Sequence, residues 1–108
     1  MVTTNGALSA LADDTRREIL TRLANGPQPA GQVARGFRMS QPAVSKHLRV
    51  LRQSGLVVSH KAGRQQLYEL SPDGITALQR ILAELSRMWA VALPAFKDFI
   101  DNEQHITG

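Results

Sequence analysis

Ile75, Leu78, Leu82, Leu85, Trp89 and Ala92 follow one another at steps of three, four, three, four and three residues, which draws a heptad seam along one side of a helix. Ser71-Pro72 stands just before it, an N-cap followed by a proline suited to the first helical position. Phe96 and Phe99 continue the same steps beyond Pro94, where a missing amide hydrogen predicts a kink or an interruption. Ile81 and Met88 add a second apolar edge. A chain of 108 residues folds as one domain whose core is too small to cover both edges, so part of this helix is expected to meet another subunit. The competing reading is a stripe that packs only on its own domain. The seam covers only about three heptads before the proline, too few for a long coiled coil.

Hydrophobic residues make up 43% of the chain and charged residues 20%, the proportions of a folding globular protein rather than a disordered one. There is no cysteine, which removes disulfides, thiolate metal sites and cysteine nucleophiles together. The opening Met1-Val2-Thr3-Thr4-Asn5-Gly6 has neither a basic nor an apolar leader region. No apolar run approaches the ~18 residues of a spanning helix. The expectation is a soluble cytoplasmic protein without a membrane partner.

The net charge of +4 is not spread evenly. Residues 29 to 70 carry Arg35, Arg38, Lys46, Arg49, Arg52, Lys61 and Arg64 against Glu69 alone, whereas the segments before and after are neutral and acidic respectively. A merely solvated surface would mix its signs, so the middle block points to an acidic partner.

Leu8 and Leu11 suggest a short first helix. Asp13 or Asp14 can cap a second, over Ile19, Leu20 and Leu23, which Asn25-Gly26-Pro27 ends. Adjacent carboxylates on a helix do not face each other, so capping fits this pair better than catalysis. Pro29 to Gly36 reads as a short, weak helix with Val33 and Ala34 inward. Ser40 as N-cap, Pro42 in the first turn and Gly55 at the end bracket the next helix. Its Val44, Leu48 and Leu51 form one core stripe, and its other side presents Gln41, Ser45, Lys46, Arg49, Arg52 and Gln53. Leu56 to His60 and Gln65 to Leu70 read as two strands joined through Lys61-Ala62-Gly63-Arg64, with Gly63 supplying the positive φ of a hairpin tip.

Helix, tight turn, polar-cationic helix and basic-tipped hairpin make a helix-turn-helix with a wing. A helix fits the major groove of duplex DNA, where amide, hydroxyl and cationic side chains meet base edges while flanking phosphate contacts set the register. Tyr68 is the one aromatic within the recognition helix and hairpin, so single-strand recognition by stacking is disfavoured.

Four ordered blocks carry a family resemblance: Ala10 to Leu20 (ALADDTRREIL), Ser40 to Leu51 (SQPAVSKHLRVL), Ser54 to Val57 (SGLV), and Gly63-Arg64 with Tyr68-Glu69-Leu70. Across about residues 6 to 90 the chain resembles the ArsR-type winged-helix repressors. The resemblance implies a prokaryotic transcriptional regulator, homodimeric through its first and last helices, that represses at a palindromic operator; its own promoter is a candidate target. It places Gln41, Ser45, Lys46 and Arg49 on the recognition helix and Gly63 and Arg64 at the wing tip. Together with the charge pattern, the expected DNA contacts are Ser40, Gln41, Ser45, Lys46, His47, Arg49, Arg52, Lys61, Gly63 and Arg64. The expected dimer contacts are Leu8, Leu11, Leu78, Leu82, Leu85, Trp89 and Phe96. The fold expected is mostly α with a two-stranded β wing and a helical dimer interface. It forms one domain over 1–108: helices and wing at 6–70, a dimerisation helix at 71–100 and a tail at 101–108.

Family members that sense metals through thiolates place cysteines in the helix before the recognition helix, and here Pro29 to Gly36 has none. Asp101 and His105, four apart with Glu103 between, form a conceivable ligand pair, but in a polar tail where fraying is the simpler expectation. No cofactor or metal is expected. An organic ligand, a partner protein or no inducer at all remain the options for release. Ser45 and His47 point to different sides of their helix, which disfavours a nucleophile and base pair; His47 is left as a packing residue or a phosphate contact. His60 reads as wing surface. Trp89 on a heptad position reads as a packing anchor rather than a ligand platform. The rival function is a winged helix used as a protein-interaction module, which would lack a DNA sequence preference. A hydrolase using Asp13, Asp14 or His47 has no convergent set of groups behind it.

Overall fold

In the computed structural model, which describes the backbone of residues 1–107 and the side chains of residues 1–94, the first two helices each start at a side-chain oxygen. Thr3 Oγ1 accepts from the Gly6 amide at 3.0 Å and opens α1, Thr4–Leu11. Asp13 Oδ1 accepts from the Arg16 amide at 3.1 Å and opens α2, Asp14–Leu23. Asp13 is therefore the cap. Asp14 sits in the first turn, where a carboxylate suits the positive end of the helix, and pairs with Arg17.

The Arg16 amide is the main cause that holds the Asp13 carboxyl below its ordinary range, with the charges of His47 and Arg16 adding to it and burial opposing. A carboxylate depressed in the folded state stabilises above its unfolded pKa and loses that contribution as pH falls through the folded value. Asp13→Ala is thus expected to cost about 1 kcal/mol near neutral pH. In urea titrations the gap from wild type should close below pH 3.8; a gap that persists in acid would contradict the charge-based account.

Gln28–Pro29 forms a two-residue strand, β1, and α3 covers only Ala30–Ala34. The helix expected from Pro29 to Gly36 is shorter at both ends, because Gln28 and Pro29 pair with a downstream strand and Gly36 contributes little helix propensity. Val33 is fully buried and Ala34 half-buried. Ser40 Oγ accepts from the Ala43 amide at 3.3 Å and starts α4, Gln41–Gln53, whose Val44, Leu48 and Leu51 are fully buried against α2, α3 and the next strand.

β2, Val57–Ala62, and β3, Gln65–Leu70, pair antiparallel from Val57 opposite Leu70 to Ala62 opposite Gln65. Only Gly63 and Arg64 lie between them. Gly63 has φ +64° and no other residue but a glycine has a positive φ, which matches a type II′ hairpin turn with glycine in the first central position. β1 pairs with β3, so the sheet has the order β1-β3-β2 and three strands rather than the two expected. The wing hairpin is where it was expected, but its first strand extends through Lys61 and Ala62, which were read as part of the connection, because both pair with β3.

α5 runs Pro72–Thr107. Ser71 Oγ accepts from the Gly74 amide at 3.0 Å and caps its start, while the Ser71 amide donates to the Leu56 carbonyl at 2.9 Å. Gly74 is buried, and a side chain there would overlap the carbonyl oxygen of Gly55. The helix continues through Pro94, where a kink or an interruption was expected, so it is not interrupted there; losing one intrahelical bond in a long helix has not ended it.

The chain divides into two compact units, Met1–Leu78 and a second from Gln79 on. The first holds the core, built on Ile19, Leu23, Val33, Val44, Leu48, Leu51 and Leu56. In the second, Leu82, Met88, Trp89, Val91 and Leu93 are exposed. No described helix is long and apolar enough to cross a membrane.

Candidate nucleic-acid interface

With the apolar stripe of α4 turned inward, the helical period forces Gln41, Lys46, Arg49, Arg52 and Gln53 to the outside, where all are exposed; Ser45 is half-buried. No acidic residue lies on α4. Among the described residues, none of Lys46, Arg49 and Arg52 is paired with a carboxylate. Their charge is therefore available to an outside partner. Arg49, Arg52 and Gln53 also form one wall of a groove of about 440 Å³, with Val57, Val58 and Ser59 of β2 as the other. The outer face of α4 and the start of β2 thus share one groove, with two arginines on its helix wall.

Lys61, Gly63 and Arg64 are exposed at the hairpin tip. Glu69 on β3, the lone acid of the basic block, lies with Oε1 at 3.6 Å from His60 Nδ1. That carboxylate is drawn to its neighbouring strand and not to the tip arginine.

Two of the expected contacts also serve the fold itself. Ser40 has its hydroxyl engaged as the α4 cap. His47 is half-buried, with Nδ1 at 3.5 Å from an Arg16 guanidinium nitrogen, on the side of α4 away from Arg49. Of the expected dimer contacts, Leu8, Leu82 and Trp89 (59% exposed) are exposed and Leu11 and Leu85 half-buried, whereas Leu78 is 8% exposed and packs within the first unit. Phe96 and the Asp101, Glu103 and His105 cluster lie outside the described side chains. Among the described residues no three His, Asp or Glu side chains gather as a metal site would need.

Sequence reasoning missed Arg22. Its guanidinium lies 4.5 Å from the centroid of the Phe37 ring and donates to the Gly36 carbonyl at 3.4 Å, bracing the turn between α3 and α4. Glu18 stands 3.6 Å from its Nε. A side chain at Gly36 would displace this guanidinium. The sequence signal was the i,i+4 pair Glu18 and Arg22, which reads as surface chemistry until Phe37 is seen beneath it.

A two-helix element with an outward cationic second helix, followed at once by a basic-tipped hairpin, defines a winged helix-turn-helix protein. Comparison with known proteins gives its family. The family model for bacterial regulatory proteins of the arsR family matches residues 13–59, from the cap of α2 into β2. Rv2034 of Mycobacterium tuberculosis, an HTH-type transcriptional regulator, is 45% identical over 97 residues, 90% of this chain and 88% of its own length. SdpR of Bacillus subtilis, a transcriptional repressor, is 37% identical over 67 residues, 62% of this chain and 74% of its own; another matching relative is named a transcriptional activator. The solution structure of a homodimeric winged helix-turn-helix DNA-binding domain from Mycobacterium bovis has a TM-score of 0.63 at 29% identity, covering 74% of this chain and 77% of that one. The chain belongs to the ArsR family of bacterial regulatory proteins. It is a transcriptional regulator, as its relatives' names are regulators' names.

Proposed function

We propose that this protein is a cytoplasmic, homodimeric repressor that binds a two-fold symmetric operator in duplex DNA, and that its own promoter is among its targets. The observation that carries the reading is the acid-free outer face of α4, with Lys46, Arg49 and Arg52 unpaired beside a basic wing tip. Gln41, Ser45, Lys46 and Arg49 are the base-reading candidates, and Arg52, Lys61, Gly63 and Arg64 the backbone contacts. Dimerisation is supported by the homodimeric relative and by the exposed Leu8, Leu82 and Trp89, apolar surface that a second copy would cover. Residues 1–108 act as one functional domain in this reading, with α5 as the dimerisation helix.

The test is fluorescence anisotropy with duplex DNA from upstream of the protein's own gene, against random duplex competitor, at two salt concentrations. Specific binding that survives the competitor and falls steeply with salt is expected. Lys46→Ala and Arg49→Ala should each weaken it by about 1 to 3 kcal/mol and relax sequence preference; equal loss on random DNA would make them phosphate contacts. Arg64→Ala should weaken all sequences alike and flatten the salt slope by about one unit. A reporter fused to the same upstream DNA should rise when the protein is removed. A fall would reverse the sign to activation, and binding abolished by the competitor would move the acidic partner from DNA to protein.

A further inference from the structure

Arg16 makes more hydrogen bonds than any other side chain described. Its Nε donates to the Ala10 carbonyl at 2.7 Å and one terminal nitrogen to the Ser9 carbonyl at 3.0 Å. The other terminal nitrogen stands 3.5 Å from His47 Nδ1. Ser9 and Ala10 belong to the last turn of α1, where the Ser9 carbonyl also accepts from the Ala12 amide at 3.2 Å. A guanidinium carries only donors, so in this contact His47 Nδ1 is the acceptor. One rigid fork on α2 therefore joins the end of α1 to the middle of α4. The neighbouring Arg17 reinforces the first half of the link, donating to the Leu11 carbonyl at 2.6 Å.

We infer that Arg16 is a positioning residue for DNA binding: by fastening α1 to His47 of α4, it sets the separation of the two recognition helices in the dimer. The inference rests on the proposed dimer, in which α1 meets the second copy through Leu8. Arg16 need touch neither DNA nor the partner copy. What it controls is how firmly the reading helix is referenced to the two-fold axis, and a half-site spacing is the quantity that reports this. Lysine would keep the charge, but a single nitrogen cannot serve two carbonyls and an imidazole in the fork's geometry.

The full-length wild-type chain is first used to select its site from a randomised duplex pool. Affinity is then measured on the selected duplex and on versions with the half-sites moved apart by one and by two base pairs. Wild type should discriminate sharply among the three spacings. Arg16→Met, Arg16→Lys and His47→Leu should each lose about fivefold on the selected spacing and lose most of the discrimination. The Arg16→Met, His47→Leu double variant should lose little more than either single one. A loss equal on all three spacings is what mere destabilisation would give, and it would overturn the positioning role. So would a His47→Leu variant that folds and keeps the wild-type spacing profile, whatever the Arg16 variants do. If wild type selects no two-part site at all, the proposed function fails first and the inference falls with it.

Discussion

Replacing Gly74 by valine is expected to lower the stability of the first unit by about 3 kcal/mol. The new side chain has no free volume to enter, because the atom it meets is the backbone carbonyl oxygen of Gly55 and not the end of a flexible side chain. Gly55 cannot easily yield. It holds a left-handed φ of +83° that turns the chain out of α4, and Leu56 beside it accepts from the Ser71 amide at 2.9 Å. The start of α5 and the exit from α4 are thus clamped together through two glycines and one backbone bond. Alanine at the same position makes the sign informative. On an unhindered helical site Gly→Ala gains up to about 1 kcal/mol from reduced chain entropy, whereas here it should still destabilise. Urea unfolding of Gly74→Ala and Gly74→Val, with the exposed Thr76→Ala as control, decides the matter; a stabilised Gly74→Ala would show that the α4–β2 turn moves freely.

The second large effect is expected at Leu48. It is fully buried in the stripe where α4 meets α2, α3 and β2, and truncation to alanine removes three carbons from a site closed on all sides. The cost should be about 3 to 4 kcal/mol, the lost transfer free energy plus that of the remaining cavity. For a unit of this size that lowers the thermal midpoint by roughly 15 °C. Lys46 and Arg49 stand on the opposite side of the helix and are untouched by the change. Below the new midpoint, DNA affinity per folded molecule should therefore stay close to wild type, while Arg49→Ala should show the converse pattern, normal melting and weakened binding. Measuring melting and anisotropy on both variants separates the two faces of one helix. An Arg49→Ala protein that melts early would mean that its side chain supports the fold as well.

These two sites also mark where the sequence is informative. Local chemistry is legible: Ser40 and Ser71 cap the helices they were expected to cap, and Asp13, one of two candidates, caps α2, because capping involves partners only three residues away. The stripe Val44, Leu48 and Leu51, and with it the outward placement of Lys46 and Arg49, follows from helical period alone. Gly63 marks the hairpin for the same reason, since a two-residue turn is a local matter. What is not legible depends on partners distant in the chain. β1 is two residues long and is a strand only because Tyr68 and Leu67 lie beside it. The Gly74 to Gly55 contact, the Arg22 to Phe37 stacking and the Arg16 fork span between six and thirty-one positions, and neither composition nor spacing signals them. At Pro94 the interruption that the local rule allows does not occur, since the helix is long enough to absorb one missing bond.

The acid-free face of α4 has a kinetic side as well. Cations with no internal carboxylate to hold them attract phosphates indiscriminately, so the protein should spend most of its time on DNA that is not its target. That loose, sequence-blind attachment shortens the search: a molecule that lands anywhere near the operator can slide or hop to it instead of diffusing through bulk solvent. The rate of finding the operator should therefore rise with the length of flanking DNA at low salt and lose that dependence at high salt, when the excursions along the duplex become too brief to matter.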